Sequence, residues 1–335
     1  MTMDQLQEAV VRSRVRLARN VEGKAFPSKL NAVEKEQIKQ QIFAVLPTGK
    51  GWEWQAYKEA SDLALLNMKA RGFVRPQTMD AIWIARSQDH VLSAVVCEED
   101  HLRIQAYLPG FQLKKAHELA QQLESKLDAK LDFAFDPDFG YLTAQVANAG
   151  TGLRASILVH LPGLSLTGLM DRVSVAAGQV GLTIQPHFRS GGEATGHLYR
   201  ISNQTTLGRT ESELVETLQQ VSYQILQREW NARETLIASR KTELLDQITR
   251  SLGTLIYARK MGLHEALDLW SNIRLGLNVN WLGNMECDQL NDILVQLSAG
   301  SLQEVAGQKL TVHELESRRA SLMREQFASV LVLEE

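Results

Sequence analysis

Residues 11–17 read Val-Arg-Ser-Arg-Val-Arg-Leu, an alternation with a period of two. A helix would scatter these side chains around its circumference. A strand places Arg12, Arg14 and Arg16 on one face and Val11, Ser13, Val15 and Leu17 on the other. The chain must therefore build a sheet that is apolar on one side and cationic on the other. Like charges on one strand face repel unless water or an anion lies over them. Guanidinium forks match phosphate oxygens two at a time. The face is thus either a solvated surface or a phosphate site. Arg19 falls outside the alternation and reads as structural.

Further along, the spacing predicts a helix over 31–46 with Asn31 as its cap. Strands are expected over 90–97 and 102–108, with the acidic run Glu98, Glu99 and Asp100 at the bend between them. A helix follows over 113–131, strands over 141–147 and 156–161, and a helix over 169–180 that stops at Gly181. Residues 182–184 and 198–201 read as hairpin arms around a Gly-rich segment. From about residue 210 the pattern becomes helical throughout, over 211–237, 243–261, 264–275, 288–299 and 311–328. The expected organisation is α+β, with a sheet-and-helix domain over 1–235 and an all-helical domain over 236–335.

The formal net charge of −3 excludes a global basic field for nucleic acid or an anionic membrane. No apolar run approaches membrane-span length. The first residues lack the apolar core of a secretory signal, which leads us to expect a cytoplasmic protein. Two cysteines, Cys97 and Cys287, do not make a disulfide framework. No Walker A loop, Rossmann fingerprint or zinc-type Cys/His spacing occurs. A bound nucleotide would have to be gripped by arginine side chains.

Four segments carry candidate chemistry. The run Glu98, Glu99 and Asp100 is either a solvated turn or a carboxylate site beside Arg103 that pairs with a guanidinium and takes its proton. His101 reads as a packed or solvent-facing imidazole. Arg154 follows Gly150-Thr151-Gly152 and opens an apolar strand, where its charge needs a partner. Residues 189–196, Arg-Ser-Gly-Gly-Glu-Ala-Thr-Gly, form a surface hairpin or a lid over a bound substrate.

Taken together, these segments resemble the ATP:guanidino phosphotransferases, or phosphagen kinases, and most closely their bacterial protein-arginine kinase branch. The resemblance rests on Ser13-Arg-Val-Arg-Leu-Ala-Arg-Asn20, Glu98-Glu-Asp-His-Leu-Arg-Ile-Gln105 and Gly150-Thr-Gly-Leu-Arg-Ala-Ser156. It extends through His160-Leu-Pro162, Ile201-Ser-Asn-Gln204 and, in the helical part, Arg250-Ser-Leu-Gly253 and Ile273-Arg-Leu-Gly276. It implies a large antiparallel sheet flanked by helices, of the phosphagen-kinase and glutamine-synthetase type, followed by a helical domain. It implies ATP with Mg2+, bound through phosphate contacts from Arg14, Arg16, Arg103 and Arg154. Glu99 would match the carboxylate that orients the attacking guanidinium. The implied substrate is arginine in proteins. Chaperone–protease or adaptor partners and a homodimer are also implied, with no nucleic acid and no membrane.

The departures are specific. Family members usually carry Cys-Pro-Thr-Asn where this chain has Gln145-Val146-Ala147-Asn148. Counting back from Ile201, a phosphate-binding Arg has become Gln185 and a lid carboxylate has become Ser190, while Glu193 matches an acid the family keeps. Arg189 is a candidate substitute for the lost Arg. The C-terminal phosphoarginine-reading motif is reduced to Leu315-Glu-Ser-Arg-Arg-Ala320. Two readings stay open: a working kinase, or an impaired pseudokinase that binds nucleotide or partners and regulates a kinase or chaperone–protease system.

Overall fold

The computed structural model describes residues 8–46, 51–56, 83–190 and 193–333. Its chain order is β1 (Val10–Arg19), α1 (Ala32–Phe43), β2 (Trp52–Ala56), β3 (Trp83–Ser87), β4 (Leu92–Val96), β5 (Leu102–Pro109) and α2 (Leu113–Asp128). Next come β6 (Phe135–Asp136), β7 (Gly140–Tyr141), β8 (Leu153–His160), α3 (Pro162–Leu166), α4 (Met170–Gln179), β9 (Leu182–Pro186), β10 (Arg189–Ser190), β11 (Glu193–Ala194) and β12 (Leu198–Asn203). The remainder is α5 (Glu211–Tyr257), α6 (Leu263–Asn278), β13 (Leu282–Gly283), α7 (Cys287–Gln296), α8 (Ala299–Ala306), α9 (Val312–Phe327) and β14 (Leu331–Val332).

The period-two reading of residues 11–17 holds. Val15 and Leu17 are fully buried, while Arg12, Arg14 and Arg16 are half-buried on the opposite face. An eight-stranded sheet forms among the described residues, in the order β2-β3-β4-β5-β1-β8-β12-β9. Every neighbouring pair is antiparallel. The architecture is α+β, as expected. Helix α2 lies against β1 and β5. Its buried Leu113, Ala116, Ala120, Leu123 and Leu127 recur at three- and four-residue spacing, the stripe that one helix face presents to a core. Each such Leu contributes about 1.5–3 kcal/mol when fully buried.

Local signals set the helix starts. Asn31 Oδ1 accepts from the backbone N–H of Val33 and Glu34 at 2.9 and 3.0 Å, and Glu34 returns a bond to the Asn31 N–H. This capping box confirms the expected start of α1. Thr210 with Glu213 and Thr311 with Glu314 repeat it at α5 and α9.

Three expectations need correction. The strand expected over 141–147 ends at Tyr141. Beyond it, side chains take the backbone groups that a strand would pair: Asn20 Nδ2 donates to the Leu142 carbonyl at 2.9 Å, and the Ala144 N–H donates to Asp100 Oδ1 at 2.7 Å. The helices expected over 211–237 and 243–261 are one 47-residue helix, α5, with non-helical backbone at Arg240. No Pro or Gly separates them, so hydrogen bonding resumes after the kink. Ser239 Oγ donates to the Thr235 carbonyl at 2.7 Å, the kind of back-bonding that bends helices. The helix expected over 288–299 ends at Gln296, and Ser298 caps a further helix, α8, by accepting from the Ser301 N–H at 3.1 Å.

A second hydrophobic cluster is built on Trp270, Ile273, Leu255, Leu290 and Phe327, and it reaches the sheet through Val11, Leu158 and Leu198. Polar ties cross the same contact. Ser271 Oγ lies 2.7 Å from His160 Nε2, and Arg233 Nη2 donates to the His160 carbonyl at 3.2 Å. No described helix is long and apolar enough to cross a membrane.

Candidate active site

The arginine face of the sheet is assembled by register. Arg16 stands opposite Arg154 across β1 and β8, and Arg14 stands opposite Ser156. On the other side, Gln105 opposes Arg16 and Arg103 opposes Ala18 across β1 and β5. Directly opposed residues of an antiparallel pair project to the same face. Arg14, Arg16, Arg103 and Arg154 therefore share one side of the sheet, although they are up to 140 residues apart in sequence (14 to 154).

A cavity of about 250 Å³ opens on this face. It is lined by Arg14, Arg16, Arg154 and Arg200, by Gln145, Gln185 and Asn148, and by Ser156, Ser202 and Ala147. The lining contains no carboxylate. Burial pushes the Arg154 guanidinium below its ordinary value, and the nearby Arg14 adds to the shift. An anion placed here would relieve both effects. The donor set suits a polyphosphate and is wrong for a metal held directly by protein. Among the described residues, no three His, Cys, Asp or Glu side chains gather as a metal cluster.

The Gly150-Thr151-Gly152 turn aims Arg154. Gly150 has φ +103° and Gly152 has φ +62°, backbone that favours glycine. A Cβ at 152 would sit 2.6 Å from the Ala18 carbonyl oxygen, and one at 150 would sit 2.4 Å from that of Thr206. Gly152→Ala is expected to lower stability by at least about 2 kcal/mol, since positive φ and a backbone clash combine. Urea unfolding checks this through the transition midpoint.

Glu99 is half-buried in the turn joining β4 to β5. Its neighbours have other duties. Glu98 is ion-paired with Arg103, both nearly buried. Asp100 Oδ1 accepts from Asn20 Nδ2 at 2.8 Å and from the Ala144 N–H at 2.7 Å. Of the two expected settings, His101 takes the packed one. Its Nδ1 accepts from the Val21 N–H at 3.0 Å, its Nε2 lies 2.8 Å from the Ala25 carbonyl, and burial lowers its pKa. Arg19 is structural, also as expected: it is buried against Glu124 and Glu211 at 2.8 and 2.9 Å. The Cys97 thiol is pushed up to about 12 by burial, so it stays protonated and inert at neutral pH.

The segment expected as a surface hairpin or a lid is a two-stranded hairpin, with Arg189 opposite Ala194 and Ser190 opposite Glu193. Gly191, Gly192 and the side chains of Ser190 and Glu193 lie outside the described residues. Arg189 is exposed and does not line the cavity. The hairpin base is fixed to α6, where the Gly196 N–H donates to Asp268 Oδ1 at 2.7 Å. In the C-terminal motif, Arg319 is buried and donates to the carbonyls of Leu297 and Met261 at 3.0 and 2.9 Å, while Arg318 is exposed.

One cavity residue escapes the sequence reading. Arg200 lies on β12 between Tyr199 and Ile201, opposite Gln185. The signal was present: it alternates with apolar neighbours as Arg14 and Arg16 do. Extending the 182–184/198–201 hairpin by one residue brings 185 beside 200.

An antiparallel sheet that converges dispersed arginines on a carboxylate-free cavity, with an acidic turn leading into strand β5 of the same sheet, is the framework of a phosphoryl-transfer protein that lacks a phosphate loop. A family model described as the ATP:guanido phosphotransferase C-terminal catalytic domain matches residues 30–232. One described as the protein-arginine kinase McsB C-terminal domain matches residues 241–334. The chain belongs to the ATP:guanido phosphotransferase family, within its protein-arginine kinase branch. The protein-arginine kinase of Exiguobacterium sp. is 36% identical over 323 residues, spanning 95% of this chain and 92% of its own length. That of Pelotomaculum thermopropionicum is 35% identical over 334 residues, spanning 97% and 94%. Among solved structures, the duplicated taurocyamine kinase of Schistosoma mansoni matches with a TM-score of 0.64 at 20% identity, over 77% of this chain and 40% of that one. A lombricine kinase matches with a TM-score of 0.60 at 22% identity, over 67% of each chain. These two share its fold.

Proposed function

We propose that this chain transfers the γ-phosphoryl group of ATP to arginine side chains of proteins. The observation that carries the reading is the cluster of Arg14, Arg16 and Arg154 around a cavity with no acidic lining residue. Phosphoryl transfer runs through a loose transition state whose charge is spread over phosphate oxygens, so catalysis rests on positioning and charge neutralisation. Arg14, Arg16 and Arg154 would grip the phosphates with paired N–H donors. Arg103, which shares their face of the sheet, would add its guanidinium to that grip. Magnesium, entering with the nucleotide, would supply further charge neutralisation.

Glu99 would hold the substrate guanidinium in line. Its nitrogen attacks the γ-phosphorus, the bond from phosphorus to the β–γ bridging oxygen breaks, and ADP leaves with that electron pair. The displaced guanidinium proton passes to the Glu99 carboxylate and on to solvent. The hairpin that holds Arg189, Ser190 and Glu193 would close over the site and exclude water.

Several finer readings go with this one. We place the division between the catalytic and helical domains near residue 235, supported by the α5 kink at Arg240 and by a second hydrophobic cluster drawn mostly from residues beyond it. A cytoplasmic location, chaperone–protease or adaptor partners and a homodimer fit the same family. Arg154→Ala tests the binding half of the reading. It removes a charge-assisted contact of about 1.5–3 kcal/mol, so Mg-ATP affinity measured by calorimetry is expected to fall about 10–100-fold. Unchanged affinity would contradict the assignment of this cavity to the nucleotide.

A further inference from the structure

Gln185 and Arg200 are register partners on β9 and β12, and both line the arginine cavity. The family resemblance expects a phosphate-binding guanidinium at 185. This chain has an amide there and a guanidinium directly across the ladder. Opposed α-carbons in an antiparallel pair lie about 4.5–5.5 Å apart, a displacement that a long arginine side chain can span.

The surroundings of Arg200 are those of an anion site. The charged groups acting on it, Tyr107 apart, are Arg14, Arg12 and Arg154. Burial and then these arginines push its pKa down. Its Nη2 lies 2.9 Å from His187 Nδ1, while Arg12 Nη2 lies 3.3 Å from His187 Nε2. A neutral imidazole has one acceptor nitrogen and can serve only one of these guanidiniums. His187 stays neutral because burial and the flanking Arg12 and Arg200 hold its pKa well below the ordinary value. It orients Arg200 without cancelling its charge.

We propose that Arg200 is a nucleotide-phosphate ligand that supplies, from the neighbouring strand, the guanidinium missing at Gln185. The inference rests on the ATP-dependent reading of this site. It also moves the compensating role from Arg189, which lies on the hairpin outside the cavity, to Arg200, which lines it.

A strand-to-strand exchange tests it. Mg-ATP affinity is measured by calorimetry for the wild-type chain, Arg200→Gln, Arg200→Lys and the double variant Gln185→Arg/Arg200→Gln, with Arg154→Ala as the control. Thermal melts establish that each variant is folded. Arg200→Gln is expected to weaken binding at least about tenfold, the lower end for a lost charge-assisted bond. Arg200→Lys keeps the charge and loses the fork, so it should fall between Arg200→Gln and wild type. The double variant, with its charge restored one strand away, should return to within about threefold of wild type, less than half the free-energy change of a tenfold loss. Arg200→Gln binding as tightly as wild type while Arg154→Ala binds weakly would overturn this inference and leave the cavity assignment intact. A folded double variant as weak as Arg200→Gln would also overturn it. A wild-type chain that binds no Mg-ATP would overturn the reading of the whole site.

Discussion

Glu99→Gln is expected to lower phosphoryl transfer about 10²–10⁴-fold, the range for loss of a positioned acid–base group, while Mg-ATP affinity stays near wild type. The amide has nearly the shape of the carboxylate. It can neither pair with a guanidinium as an anion nor accept its proton. Arg103 is ion-paired with Glu98, and the substitution leaves that pair in place. Asp100 cannot substitute readily, since Asn20 and the Ala144 N–H hold its Oδ1 in the turn. Single-turnover kinetics, with calorimetry beside them, separate transfer from binding. Transfer at the wild-type rate in Glu99→Gln would remove the carboxylate from the mechanism and pass its role to Glu98.

The second large effect concerns stability. Arg19→Ala is expected to destabilise the fold by about 3–5 kcal/mol, because truncating one partner strands buried opposite charges. Arg19 is 1% exposed and joins four parts of the molecule. Its Nε donates to Glu124 on α2 at 2.8 Å and its Nη2 to Glu211 on α5 at 2.9 Å. Its Nη1 donates to the carbonyls of Ala18 and Thr151, each at 2.9 Å. Its guanidinium also stacks 3.5 Å over the Tyr141 ring. Burial pushes the Glu211 carboxyl up, but the His117 hydrogen bond and Arg19 outweigh it and hold the pKa below the ordinary value. The resulting stability is present above the ordinary carboxyl pKa and is lost as pH falls through the depressed one. Urea unfolding at neutral pH reads the loss. Arg19→Ala with Glu124→Gln should recover part of it, since one stranded charge is gone. A loss below about 1 kcal/mol, the size of an exposed pair, would show that solvent already screens this network.

The site was legible where local pattern and local structure coincide. The alternation over 11–17 could only be a strand, and it placed Arg14 and Arg16 on one face before any partner strand was known. The Asn31 cap and the acidic turn at 98–100 are local in the same sense. Positions fixed by pairing were harder. Arg200 looked like one polar residue in a short strand, and only the β9–β12 register sets it opposite Gln185. Residues 142–144 alternate as a strand does, yet their backbone partners are the side chains of Asn20 and Asp100. Sequence periodicity does not reveal that competition. The continuity of α5 is not legible because Ser239, Arg240, Lys241 and Thr242 interrupt the apolar pattern, although nothing among them breaks a helix.

These local and register effects converge on one chemical claim, that the chain forms phosphoarginine with an arginine-gripped nucleotide despite Gln145, Gln185 and Ser190. The most direct measurement incubates the full chain with Mg-ATP and an unfolded protein substrate, then follows phosphorus–nitrogen bond formation by phosphorus NMR at neutral or basic pH. The account predicts a phosphoarginine signal on the protein substrate that is lost in Glu99→Gln. No signal from a folded chain that still binds Mg-ATP would contradict it, and would identify the molecule as a nucleotide-binding pseudokinase.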